Sequence, residues 1–253
     1  MFVLLLTGCA DIKKLQNLVD TLANPLVMVG GYIGIEQPTD PNMDMSGSEF
    51  SATALVTTML ADAASVADMG SNPVGGAGAT VQSPDSGTVV MVEGDGGEYT
   101  ATSDDGLVYT VGQYININVD LDGSHLATIE SPEAALVEIE QEQLPGEPVS
   151  INLTGQDFDS AFVVVYDVLN GSITFDNRPT EITDIYNWTH GDGTVVVDIP
   201  GSAFASESIY GVGVAGLRHS DEADFVDVNT LLSTFASGKF TFHGVYTVPV
   251  PPS

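Results

Sequence analysis

The residues of this chain that could do chemistry are its few histidines and its many carboxylates. His219-Ser220-Asp221-Glu222-Ala223-Asp224 puts one imidazole and three carboxylates into a short stretch after an apolar run, with Asp227 close behind. Imidazole nitrogen and carboxylate oxygen together form a ligand set for a divalent metal, which would make the 219–227 loop the centre of a metal-dependent hydrolase. Asp120-Leu121-Asp122-Gly123 sets two carboxylates across a turn, and Asp104-Asp105 could approach from a neighbouring loop. Calcium gathers about six to eight oxygens, which loops at one end of a sandwich can supply. The metal candidates are therefore Asp120, Asp122, His219, Asp221 and Asp224, with Ca²⁺ the cofactor to consider. The competing account needs no metal: solvated turn aspartates, and an acidic loop in which His219 caps the end of a strand. That account is preferred, because the late glutamate that completes an EF-hand loop is absent at its offset.

Other side chains yield less. Trp188 and Tyr186, with Phe175, could form an aromatic patch for a sugar or peptide, though core packing is the preferred reading. His190 falls at the tip of a turn, and His243 alternates with Phe242, so it should face away from the core or lie between the sheet and a neighbour. No Gly-x-Ser-x-Gly elbow, His-Glu-x-x-His pair, phosphate loop or dinucleotide fingerprint occurs, and Ser124-His125 is mere adjacency. A non-enzymatic protein is expected.

Charge narrows the partners. Asp and Glu number 35 against five Lys and Arg, for a net charge of −30. Lys13 and Lys14 lie close to the N-terminus, which leaves the body Arg178, Arg218 and Lys239. So few cations cannot displace counterions from a nucleic-acid backbone or dock on an anionic lipid surface. Divalent cations and basic partners stay open, and the plain consequence of the charge is solubility.

The single cysteine rules out an internal disulfide and any cysteine-based zinc site. It stands in Met1-Phe2-Val3-Leu4-Leu5-Leu6-Thr7-Gly8-Cys9, and Leu6-Thr7-Gly8-Cys9 resembles the lipobox of bacterial lipoprotein precursors. The resemblance implies cleavage before Cys9, a diacylglycerol on its thiol, and an acylated Cys9 as the mature N-terminus. Ala10 rather than aspartate after the cysteine implies the outer membrane. The apolar run is shorter than the roughly 7–15 residues of a signal-peptide core and no cation precedes it, so either the true start lies upstream of Met1 or the resemblance is accidental. The competing reading is a small buried cysteine in a short N-terminal strand. No later segment has the roughly 20 apolar residues of a spanning helix, so the lipid would be the only anchor.

The elements that must position these residues are strands. Ile12, Leu15, Leu18, Val19 and Leu22 share one side of a short helix over 11–23, which Pro25 ends. Residues 26–36 read as a strand broken by glycines. Residues 51–67 are ambiguous, with helical spacing of apolar residues but β-branched Thr53, Val56, Thr57 and Thr58. Further strands are predicted at 88–92, 98–102, 107–111 and 114–120, with Ile115, Ile117 and Val119 on one face of the last. In the second half, strands are predicted at 149–153, at 162–168 leading through Asn170-Gly171 into a hairpin, at 195–199 and from 210, with a last one carrying Phe240, Phe242, Tyr246 and Val248. Gly211, Gly213 and Ala215 leave one face of the 210 strand nearly bare, so something must pack closely there. Val228, Leu231, Leu232 and Phe235 predict a short helix over 227–236, ending at Gly238.

Pro73-Val74, Gly78-Ala79-Thr80-Val81, Gly97-Glu98-Tyr99 and Gly112-Gln113-Tyr114 before an alternating strand resemble the immunoglobulin- or transthyretin-like modules of carboxypeptidase-regulatory type. The resemblance covers about residues 70–130 and implies a spacer or binding platform with no active site. Pro132, Pro145 and Gly146, with the five glutamates Glu133, Glu138, Glu140, Glu142 and Glu147, mark a junction near residues 133–146. The expected organisation is a leader over 1–9, a helix or tether over 10–24, and two immunoglobulin-like β-sandwiches over 25–134 and 135–253. The expected function is that of an outer-membrane or cell-surface lipoprotein, anchored to the membrane by its lipid and serving as a non-catalytic platform for a protein or glycan. The alternatives are an accessory subunit presenting ligand to an outer-membrane transporter, and the metal-dependent hydrolase. No nucleic acid is expected among its partners.

Overall fold

A computed structural model describes residues 26–45, 47–48, 50–62, 72–94, 97–121, 124–178, 195–220 and 230–247. Cys9 and the helix expected over 11–23 lie outside them. The chain is mainly β. Its first half forms β1 (Leu26–Glu36), β2 (Ala54–Asp62), β3 (Asn72–Pro73), β4 (Gly78–Ser83), β5 (Gly87–Val90), β6 (Val92–Glu93), β7 (Glu98–Thr102), β8 (Tyr114–Asp120) and β9 (Ser124–Glu130). The second forms β10 (Glu142–Gln143), β11 (Val149–Asn152), β12 (Ser160–Asp167), β13 (Ser172–Asp176), β14 (Val196–Ile199), β15 (Ile209–Ser220) and β16 (Thr230–Thr247). Within the ambiguous 51–67 stretch, β2 forms over Ala54–Asp62 and takes the β-branched Val56, Thr57 and Thr58, while residues 63–67 lie outside the described residues.

One ten-stranded sheet runs in the order β13-β12-β15-β16-β1-β2-β7-β6, with β10 also on β16 and β3 on β2. The sequence boundary near residue 134 is therefore no break in the sheet, because β1 pairs in parallel with β16 from Leu26↔Thr230 to Glu36↔Thr241. Two smaller sheets pack on this one, a four-stranded β5-β4-β8-β9 and a two-stranded β11-β14. Met28, Tyr32 and Phe235 of the long sheet meet Val81, Ile115, Ile117 and Ile129 of the four-stranded sheet in a first core. Val163, Val212 and Val245 meet Ile151, Leu153, Val197 and Ile199 in a second. Phe235 and Val245 are an even number of residues apart on β16, so both cores lie on the same face of the long sheet. The opposite face carries Ile35, Val164, Leu217 and Phe240, covered by Met45 and Phe50 of the segment after β1. Asp40 in that segment accepts the Tyr246 hydroxyl, and this bond holds the carboxyl below its ordinary pKa.

The bare face of β15 is filled as its glycines require. An added Cβ at Gly213 would stand 2.6 Å from the Phe242 ring, and one at Gly211 would stand 3.1 Å from the Met43 methyl. At Gly34 of β1 it would be 2.5 Å from Tyr109. Tyr109 belongs to the 107–111 segment, where the predicted strand is not formed. Left-handed glycines at Gly106 (φ 93°) and Gly112 (φ 73°) bound that segment. Val108 is bonded outside any ladder, its N–H donating to Ser86 Oγ at 2.8 Å and its C=O accepting Tyr32 Oη at 2.9 Å. Leu107 and Tyr109 plug the first core instead. Desolvation pushes the Tyr32 hydroxyl up to about 12 and raises that of Tyr109 as well.

The helix predicted over 227–236 is also overturned from residue 230 on, since β16 starts at Thr230, and residues 227–229 lie outside the described residues. Local spacing lost to the ladder. Residues 230–241 have β1 along one edge, and β15 joins the other from Phe235, so the backbone bonds that a helix would close internally go to neighbours.

Candidate functional site

Charged side chains from separate parts of the chain converge where β9 ends beside β15. Arg218 leaves β15 there and donates from Nη1 to Glu130 Oε2 at 3.0 Å, from Nη2 to the Asp157 carboxylate, and from Nε to the Asp157 carbonyl at 3.1 Å. Ser237 Oγ on β16 donates to the Glu130 carbonyl. One guanidinium thus ties the last strand of the first half to the turn before β12. A cleft of about 360 Å³ opens over it, lined by Val111, Pro132, Leu136 and Phe158. Lys239 pairs with Glu36 at 2.6 Å and Arg178 with Asp176 at 2.8 Å, so all three cations of the body are engaged with carboxylates. Because the Arg218 side chain is one-third exposed, Arg218→Met should cost about 1 kcal/mol or less. Thermal melts of the variant at low and high salt check this: a wild-type advantage that shrinks with salt is expected, and a salt-independent one would contradict it.

His219, next in sequence, lies within β15 and not in the acidic loop where the sequence placed it. Its Nε2 is 3.1 Å from Ser160 Oγ, and its Nδ1 is 3.9 Å from Asp159 Oδ2. The order serine, imidazole, carboxylate is that of a nucleophilic triad, but the geometry is structural. Ser160 is wholly buried and the His219 side chain is 3% exposed. Asp159 Oδ2 already accepts the His219 backbone N–H at 2.9 Å, while 3.9 Å exceeds hydrogen-bond length. The imidazole is a bonded buried group at the end of the sheet.

Of the other metal candidates, Asp120 is exposed at the end of β8, and Asp122, Asp221 and Asp224 lie outside the described residues. Asp105 is committed to a cap: its Oδ2 accepts Thr102 N–H at 2.9 Å, and the Thr102 hydroxyl in turn accepts Asp104 N–H at 3.2 Å. Among the described residues no three His, Cys, Asp or Glu side chains converge to hold a metal. Trp188 and Tyr186 also lie outside, whereas Phe175 packs half-buried on the second core. His243 is half-buried on β16 beside Thr241 Oγ1 at 3.3 Å, and desolvation lowers its pKa. Among the described residues no helix is long and apolar enough to cross a membrane.

Sequence reasoning missed Glu130, Asp157 and the role of Gln156. The side chain of Gln156 accepts the Leu136 N–H at 2.9 Å and donates to the Leu136 carbonyl at 2.8 Å. The one available signal was the scarcity of cations, which made Arg218 worth following. No protein-family model matches the chain, and no curated protein matches it.

Proposed function

We propose that the protein is an outer-membrane or cell-surface lipoprotein, tethered through an acylated Cys9, whose β body is a non-catalytic platform for another protein or a glycan. The observation that carries the platform reading is the unbroken ladder across β12, β15, β16, β1 and β2. A single sheet bearing both cores on one face makes the two halves one plate, suited to holding a binding surface at a fixed orientation. The ion-paired state of Arg178, Arg218 and Lys239 agrees with a tether made by lipid and not by a basic patch. Of the described chemistry-bearing side chains, Asp105 serves a cap, Arg218 ion pairs and His219 a buried hydrogen bond.

The test is the mass and location of the protein expressed behind its natural upstream sequence in a diderm host. The expected product begins at Cys9, carries a diacylglyceryl group and an amide-linked acyl chain, and partitions with the outer membrane. Cys9→Ser should abolish both modification and partitioning. An unmodified, uncleaved polypeptide in the cytosolic fraction overturns the proposal.

A further inference from the structure

The chain from Glu133 to Glu140 makes neither a turn nor a bend and belongs to no sheet. From Ala135 on its side chains alternate: Ala135, Val137 and Ile139 pack on the second core, while Leu136, Glu138 and Glu140 face solvent. This is the pattern of a half-buried strand, yet among the described residues no strand pairs with it. Among the described residues, the only hydrogen bonds to its backbone are the two that Gln156 makes with Leu136, and none reaches the backbone of residues 137 to 140. The Gln141 carbonyl just beyond accepts Tyr246 N–H at 2.7 Å, so the segment is pinned near both ends and open between them. Unpaired backbone groups on an extended segment are a template for a further strand.

From this open edge we propose that Glu133–Glu140 binds an extended basic peptide by strand addition. The occupant follows from the side chains. A strand laid alongside would place alternate residues next to Leu136, Glu138 and Glu140 on the solvent face, and the others next to Val137 and Ile139 on the core face. Lysine or arginine on the first set and valine or isoleucine on the second would match. A second copy of this chain would not, because it would bring glutamate against glutamate. The inference deepens the platform reading by naming a partner chemistry.

A fluorescent peptide of about eight residues alternating Lys and Val, a length that spans the segment, is the probe. Three comparisons fix the result: a peptide of the same composition with its lysines and valines in separate blocks, an alternating Glu-Val peptide, and the E138K/E140K variant of the full chain. The alternating Lys-Val peptide should bind about tenfold more tightly than the blocked one, and the variant should weaken it by about tenfold or more. Amides of residues 137–140 should exchange rapidly in the free protein and slow on binding. E138Q/E140Q, which keeps shape without charge, should fall between, and serves alone if the lysine variant melts early. Equal binding of the blocked peptide, or no slowing at 137–140, overturns the proposal. Acylation of Cys9 is read separately by mass, so either idea can fail alone.

Discussion

Gly213→Val is expected to destabilise the protein by about 3 kcal/mol or more, at the upper end of what overpacking costs. Local propensity says the opposite, since valine is a better strand residue than glycine by up to about 1 kcal/mol. The sign of the measured change therefore decides between propensity and packing. Gly213 sits in β15 with Val164 of β12 across one edge and Phe242 of β16 across the other. A new Cβ would lie 2.6 Å from Phe242 Cε1 and 2.8 Å from Val164 Cγ1 before valine's two methyl groups are counted. The Phe242 ring has little room to withdraw, with Phe50 5.3 Å and Phe240 6.1 Å away between ring centroids. Urea denaturation of Gly213→Val, Phe242→Leu and the double variant gives the coupling directly. Relief in the double variant of about 1 kcal/mol or more identifies Phe242 as the obstacle. A single variant as stable as wild type would mean that the glycine is not there to receive the ring.

That row also shows what was legible in the sequence. Alternation of Ile115, Ile117 and Val119 fixed β8 to its observed bounds, and Pro200 correctly closed β14. The gap left by Gly211 and Gly213 announced a close neighbour. Its identity was hidden, since Phe242 and Met43 come from opposite ends of the chain. Periodicity is local, and the features it missed are not. Val228, Leu231, Leu232 and Phe235 have helical spacing, and only the partnership of β16 with β1, about two hundred residues earlier, overrides it. The same pairing joins two stretches that read as separate sandwiches. At the candidate site, Arg218 meets Asp157 and Glu130 at separations of 61 and 88 residues, and no motif spans such distances. The 133–147 run of glutamates was visible as composition. Its unpaired, alternating backbone was not, because an extended segment looks the same in sequence whether or not a strand lies beside it.

Asp167→Asn should lower stability by about 2 kcal/mol at neutral pH, and the loss should shrink in acid. Asp167 interrupts the apolar run of β12, yet it is only 3% exposed. Burial pushes its carboxyl up, but four donors outweigh it and hold the group below its ordinary pKa: Ser208 Oγ at 2.6 Å, Asn170 Nδ2 at 2.7 Å, and the N–H groups of Leu169 and Asn170 at 3.1 Å. Asn170 and Leu169 belong to the turn into β13, and Ser208 precedes β15 and donates its backbone N–H to Thr247 Oγ1 at 2.7 Å, so one carboxylate ties the hairpin to the ends of two strands of the sheet. An amide in its place keeps one acceptor and turns a donor toward the Asn170 or Ser208 donors. Because the folded pKa lies below the unfolded value of about 3.9, this stabilisation is fully present above about pH 4 and disappears as pH falls through the folded pKa. The other carboxylates titrate in both proteins and cancel in the difference, so the gap between wild type and variant isolates Asp167. A gap that is constant or widens on acidification would mean that the carboxylate is not the species these donors hold. Ser208→Ala separates the remaining possibility of simple hairpin damage: it leaves the turn intact, removes the shortest of the four bonds, and should show the same narrowing in acid at a smaller amplitude.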